Sequence, residues 1–153
     1  MTKLELLEII QNGENSGIEF KRDERGNSAF AKEVVAFSNL KGGKIFIGVE
    51  DDGSISGLTG PGCEEWVMNI CRTSVMPGVI PYYEEIQVDS GKRVAVVHID
   101  MGYSKPYYVE RGERRAYYKR VGSTSREATR EELSRLFQVS GSFHYDIAPV
   151  ADT

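Results

Sequence analysis

Cysteine and histidine are scarce in this chain of 153 residues, with two of each. Cys63 and Cys71 fall eight residues apart in one expected helix. That is about 12 Å along the axis, beyond the reach of a disulfide. There is no Cys-x-x-Cys pair, and His98 and His144 lie far apart in sequence, so no zinc ligand set is on offer. No apolar run approaches the roughly 20 residues of a membrane helix. No Gly-x-x-x-x-Gly-Lys-Ser/Thr phosphate loop and no Gly-x-Ser-x-Gly elbow occur, which leaves a Walker-type ATP site and serine-hydrolase chemistry without support. The start, Met1-Thr2-Lys3-Leu4-Glu5, lacks a signal-peptide pattern, and the expected compartment is the cytoplasm.

The chain that remains has the length and composition of one globular domain: 40% hydrophobic residues and 27% charged. Thr2 with Glu5 reads as a capping box opening a first helix, and Asn12-Gly13 closes it. Ile18-Glu19-Phe20-Lys21 alternates as a short strand. Phe30, Val34 and Phe37 carry the apolar stripe of a helix over 29–39. Lys44 to Glu50 is the strongest strand, with Ile45, Ile47 and Val49 expected on one face. Asp51-Asp52-Gly53 turns it back toward Ile55. A helix is expected over 64–75. Strands follow over 82–88 and 93–99, joined by Asp89-Ser90-Gly91-Lys92, with the second apolar on both faces and therefore central. One strand is expected over 116–121, then a polar loop at Gly122–Ser125. A second capping box, Thr129 with Glu132, opens a last helix closed by Gly141. The order implies an α+β fold: a mixed or antiparallel sheet with helices packed on it. Residues 1–140 form the expected domain, and 141–153 read as the start of a linker to a further C-terminal region.

The net charge is −4, yet the span from Lys105 to Arg126 is +5, which leaves −9 for the remainder. Its bases are Lys105, Arg111, Arg114, Arg115, Lys119, Arg120 and Arg126, interleaved with tyrosines 103, 107, 108, 117 and 118. Bases neutralise phosphates and tyrosines stack on unpaired bases. Ser123, in a small hydroxyl-rich loop, adds a group suited to a phosphate oxygen. With Lys21 and Arg22, these residues are the expected nucleic-acid contacts. The competing reading is a solvated basic hairpin whose tyrosines belong to the core.

A second cluster is acidic. Glu14, Glu19 and Glu50, with Asp51 beside the last, sit at or near strand ends. Carboxylates so placed can hold Mg²⁺ or Mn²⁺ against a phosphodiester, but acids at strand ends are more often solvated. His98, in an apolar strand without a nucleophile nearby, reads as a satisfied structural histidine.

Several segments together resemble one family. Glu14-Asn15-Ser16-Gly17-Ile18-Glu19-Phe20-Lys21 is similar to its E-S-x-x-x-E-F-K opening, with the serine displaced by one. Ala36 to Gly53 is similar to A-F-A-N-T-x-G-G-x-L-x-I-G-V-x-D-x-G, with Asp51 on its D, while the acid directly after I-G-V is Glu50, longer than the family's usual Asp. Ile55 to Leu58, Lys105-Pro106-Tyr107-Tyr108, Tyr117 to Ser123 and Thr129 to Leu133 follow in the family's order. The chain thereby resembles the Schlafen/AlbA-type DNA-binding domains, formerly called divergent AAA domains, over about residues 8–139. The resemblance implies an α+β fold and nucleic-acid binding. It also implies a place at the N-terminus of prokaryotic transcriptional regulators, ahead of an ATPase-like or winged-helix region. Some Schlafen members cleave RNA with acids at the positions of Glu14, Glu19 and Glu50, which makes a Mg- or Mn-dependent endoribonuclease one alternative. A dimerisation scaffold pairing two copies of the chain is the other.

Overall fold

The computed structural model describes residues 1–139. A four-stranded mixed sheet lies between helical layers. Its order is β1 (Ile18–Lys21), β2 (Gly43–Ile47), β4 (Arg93–Ile99), β3 (Tyr82–Gln87). β1 runs parallel to β2, while β2–β4 and β4–β3 are antiparallel. The expected α+β fold with a mixed sheet and a central 93–99 strand is the one formed.

Helix α1 (Lys3–Asn12) packs on one face. Its capping box is complete: Thr2 Oγ1 accepts from the Glu5 amide and the Glu5 carboxylate accepts from the Thr2 amide. Leu6 and Ile10 meet Phe20, Phe46, Val94 and Val96 there. Helices α2 (Asn27–Ser38) and α3 (Cys63–Thr73) cover the other face, where Phe30, Val34, Val67 and Cys71 enclose Ile45, Ile47, Ala95 and Val97. The two cysteines are free and buried in this layer, as their spacing requires.

β2 ends earlier than its sequence suggests. Gly48 takes φ +102°, and a Cβ there would meet the Gly57 backbone at 2.9 Å. The alternation breaks at that point, so Val49 joins the α1 side rather than following Ile45 and Ile47. The turn at Gly42, φ +80°, is equally constrained, since a Cβ would stand 2.4 Å from the Ile99 carbonyl oxygen.

The basic segment forms two hairpins, β5 (Val109–Arg111) with β6 (Arg114–Ala116) and β7 (Tyr118–Val121) with β8 (Thr124–Glu127). Each turns on a two-residue loop beginning with glycine, Gly112 at φ +63° and Gly122 at φ +61°, as tight hairpins require. The expected single strand over 116–121 is therefore divided at Tyr117, and the expected loop at 122–125 is a hairpin turn entering β8. Helix α4 (Arg130–Val139) opens on its capping box, with reciprocal bonds between Thr129 and Glu132. The closing Gly141 and the linker over 141–153 lie outside the described residues. No helix among the described residues is long and apolar enough to cross a membrane.

Candidate nucleic-acid interface

Alternation along β7 sends Lys119 and Val121 outward and Tyr118 and Arg120 inward, and this divides the expected contacts into two groups. Arg120 is 3% exposed and lies under the hairpin against β1 and α2. Its Nη1 donates to Glu19 Oε1 at 2.7 Å and Ser125 Oγ at 3.1 Å, with Glu33 Oε1 at 3.5 Å. Nη2 donates to the carbonyls of Asn15 at 2.6 Å and Ile18 at 3.2 Å. The guanidinium also stacks 4.6 Å from the Phe37 ring centroid. Ser125 donates to Glu33, and Lys21 Nζ stands 3.1 Å from Glu33 Oε2. Arg120 is thus a fastener within the fold, not a surface contact. A guanidinium with five donors suits a site holding two carboxylates and two carbonyls that each have a lone pair beyond their backbone bond.

The same crowding acts on Glu19. Burial pushes its carboxyl from the ordinary 4.5 up to about 7, and the charge on Glu33 adds to this against the pull of Arg120. The folded chain therefore holds a proton that the unfolded chain has released over that interval. Stability from this site is fullest below the ordinary carboxylate range and declines as pH rises toward 7. Urea unfolding at about pH 5 and about pH 8 tests this. The wild type should lose more stability over the rise than Glu19→Gln does; an equal loss would refute it.

Lys105 is the second correction. It is 9% exposed and its Nζ donates to the Leu40 carbonyl at 3.0 Å, with burial lowering its pKa. Lys105 and Arg120, both expected on the surface, are held in the interior because their segments close over the C-terminal end of α2 and the edge of β1.

The other cations lie outside. Lys119 and Arg126 are direct cross-strand partners on the outer face of β7–β8. Lys119 reaches Glu132 at 3.3 Å, and Arg114 pairs with Glu127. Arg115 is exposed, with its guanidinium 4.7 Å from the Tyr108 ring centroid. Arg111 lies over Tyr118 at 5.6 Å. Ser123 is exposed at the hairpin tip. Arg22, on the loop after β1, contacts Glu24 at 3.5 Å and Glu50 at 3.1 Å. Tyr108 and Tyr117 pack on each other at 5.3 Å, and Tyr107 is buried. The tyrosines thus divide between core and surface.

The acids do not assemble into a metal-binding group among the described residues, although Glu14 is near enough to Glu19 for its charge to raise the Glu19 pKa. Glu14 accepts from the Phe20 amide at 2.8 Å, Glu19 faces Arg120, and Glu50 accepts from Ser56 Oγ at 2.6 Å beside Arg22. Asp51 is exposed on its turn. Among the described residues no group of three or more His, Cys, Asp or Glu side chains is placed to hold a metal ion. The donor set expected for Mg²⁺ or Mn²⁺ does not fit.

Two residues with central roles were not singled out from the sequence. Glu33 reads as an ordinary helix acid, yet it is 4% exposed in the Arg120 cluster. Asn39 reads as the last residue of the 29–39 helix, yet its side chain bonds both segments that lead into the hairpins. Only their positions on the inward stripe of α2 and at its end could have marked them.

The family model described as Schlafen, AlbA_2 matches residues 14–129. Among solved structures, the DIP2311 protein of Corynebacterium diphtheriae is similar at TM-score 0.64 and 20% identity, covering 83% of this chain and 27% of that one. The chain thus spans about a quarter of that protein's length. The N-terminal domain of a protein from Nitrosomonas europaea, described as related to the ATP-dependent DNA helicase RecG, is similar at TM-score 0.60 and 24% identity. It is covered over 94% of its length by 84% of this chain. No curated protein matches.

Proposed function

The chain belongs to the Schlafen, AlbA_2 family, and from that premise we propose that it is a nucleic-acid-binding domain that grips phosphates with the outer faces of its two hairpins, as part of a larger regulator. The observation that carries this reading is the outward row of Lys119 and Arg126, with Arg115 on the neighbouring hairpin, in a segment of charge +5 within a chain of net charge −4. Arg114 and Lys119 hold only exposed or half-exposed carboxylate partners. Such pairs contribute little, so a phosphate can displace them. Ser123 and Arg22 extend the surface at its margins. The similarity to a helicase-related N-terminal domain supports the same class of ligand. Metal-dependent RNA cleavage is not favoured, because Glu14, Glu19 and Glu50 each serve a separate partner.

Titrating labelled DNA and RNA at several salt concentrations tests the reading. Affinity should fall steeply with salt, and Arg115→Gln and Arg126→Gln should each reduce the salt slope by about one. Binding indifferent to salt would remove phosphate contacts from the account.

A further inference from the structure

Three large apolar side chains, Ile80 (94%), Met101 (43%) and Tyr103 (87%), stand exposed around one corner of the sheet, and Tyr82 (64%), next to Pro81 of that corner, is exposed on the edge strand opposite His98. A cluster of this kind on a small domain marks a contact surface. The corner adjoins an open groove of about 560 Å³ across the end of the sheet, between the Asn15–Ile18 segment, the Lys41–Lys44 turn and His98. Strand register explains the groove. Ile18, Lys44, His98 and Tyr82 lie side by side across the four strands. The neighbouring row includes Phe46 and Val96, both fully buried under α1. The helix covers that row and stops short of the next, which leaves Tyr82 in solvent and Lys44 and His98 partly open.

The chemistry of the uncovered row is mixed. The Tyr82 and His98 rings pack with centroids 5.2 Å apart, and Glu84 Oε2, 2.7 Å from His98 Nε2, holds the imidazole in place. Among the described residues neither Lys41 nor Lys44 has a carboxylate partner; Asp100, whose backbone packs against Gly42 in the same turn, is the acid that lines the groove. Arg120 bonds the Asn15 carbonyl, so the β7–β8 hairpin abuts the segment forming one wall. A strand held on the hairpin has a short path into the groove.

We propose that this sheet-end face is a second nucleic-acid subsite that takes unpaired nucleotides: a base stacks on Tyr82 beside His98, and Lys44 and Lys41 hold the flanking phosphates. It rests on the nucleic-acid reading above and adds a preference for single strands. Duplex bases hide their faces from a tyrosine, whereas an unpaired base offers its whole plane. Apolar side chains alone would suit a protein partner; two unpaired lysines beside them suit a polyanion.

The test measures fluorescence anisotropy of a labelled oligothymidine and of a DNA hairpin duplex of equal length. The proteins are the wild type, Tyr82→Ala, Lys41→Gln/Lys44→Gln and Arg115→Gln/Arg126→Gln. Tyr82→Ala should weaken the single strand about tenfold and leave the duplex unchanged. The double lysine variant should weaken the single strand and lower its salt slope. If only the arginine variant loses affinity, this subsite is wrong and the hairpin reading stands. If the wild type binds neither probe, both fall. If Tyr82→Ala binds normally but sediments as a smaller species than the wild type, the corner is a self-association surface and the proposal is overturned. Tyr82 is exposed, and an unchanged urea midpoint checks that its variant is folded.

Discussion

Replacing Arg120 with methionine is expected to cost about 3–5 kcal/mol of folding stability, the range found when one partner of a buried ion pair is removed. Methionine keeps much of the stem over Phe37, so the loss isolates the guanidinium. Without it, buried Glu19 loses its cation, Glu33 keeps only Lys21 and Ser125, and the carbonyls of Asn15 and Ile18 each fall back on a single backbone donor. Arg120 Nε is already buried without a partner among the described residues, so the site carries one unmet donor even when intact. The compensated variant is the control. Arg120→Met combined with Glu19→Gln and Glu33→Gln removes the charges together and should recover much of the loss, because an uncharged interior avoids the desolvation penalty. Urea unfolding reads both. A methionine variant within about 1 kcal/mol of wild type that has nevertheless lost nucleic-acid binding would place Arg120 on the contact surface after all.

The same variant separates position from contact. Arg120 never reaches the outer face, yet it holds the hairpin that presents Lys119 and Arg126. Binding should therefore weaken in the destabilised variant and return in the compensated one, although no phosphate touches residue 120 in either.

Local patterns carried most of the architecture. Both capping boxes, the alternation of β1 and the two-sided apolar run of β4 can be read because caps and periodicity depend on neighbours within a few residues. β2 stops short of its alternating pattern because Gly48 bends at its close approach to Gly57, a contact that no local pattern reports. The basic segment was legible as charge but not as geometry. Seven cations in a row of tyrosines look alike in sequence, and only register decides that Lys119 points out while Arg120 points in. Even a division of 116–121 at Tyr117 leaves the inward face unassigned by alternation, since the partners of Arg120 are Glu19 on β1 and Glu33 on α2. The acidic trio failed for the matching reason. Glu14, Glu19 and Glu50 are close to strand ends in sequence, but each finds a different donor once the chain closes.

Asn39→Ala is expected to cost about 3 kcal/mol, from buried backbone groups worth about 1–3 kcal/mol each when unpaired. Asn39 is 2% exposed at the C-terminal end of α2. Its Nδ2 donates to the Tyr107 carbonyl at 2.9 Å and the Tyr118 carbonyl at 2.8 Å, and its Oδ1 accepts from the Tyr107 amide at 2.6 Å. One side chain thereby ties both hairpin-bearing segments to the helix. Asn39→Asp keeps the acceptor, loses both donors and buries a charge, so it should be no better than alanine. The readout particular to this role is hydrogen exchange. The Tyr107 amide should lose protection selectively in Asn39→Ala and keep it in Asn39→Asp, while Val96 at the centre of the sheet falls only with global stability. If the Tyr107 amide stays protected in the alanine variant, the anchor lies elsewhere: in Lys105 on the Leu40 carbonyl and in the Gly102 amide on the Ser38 carbonyl, which fix the same segment from its other end.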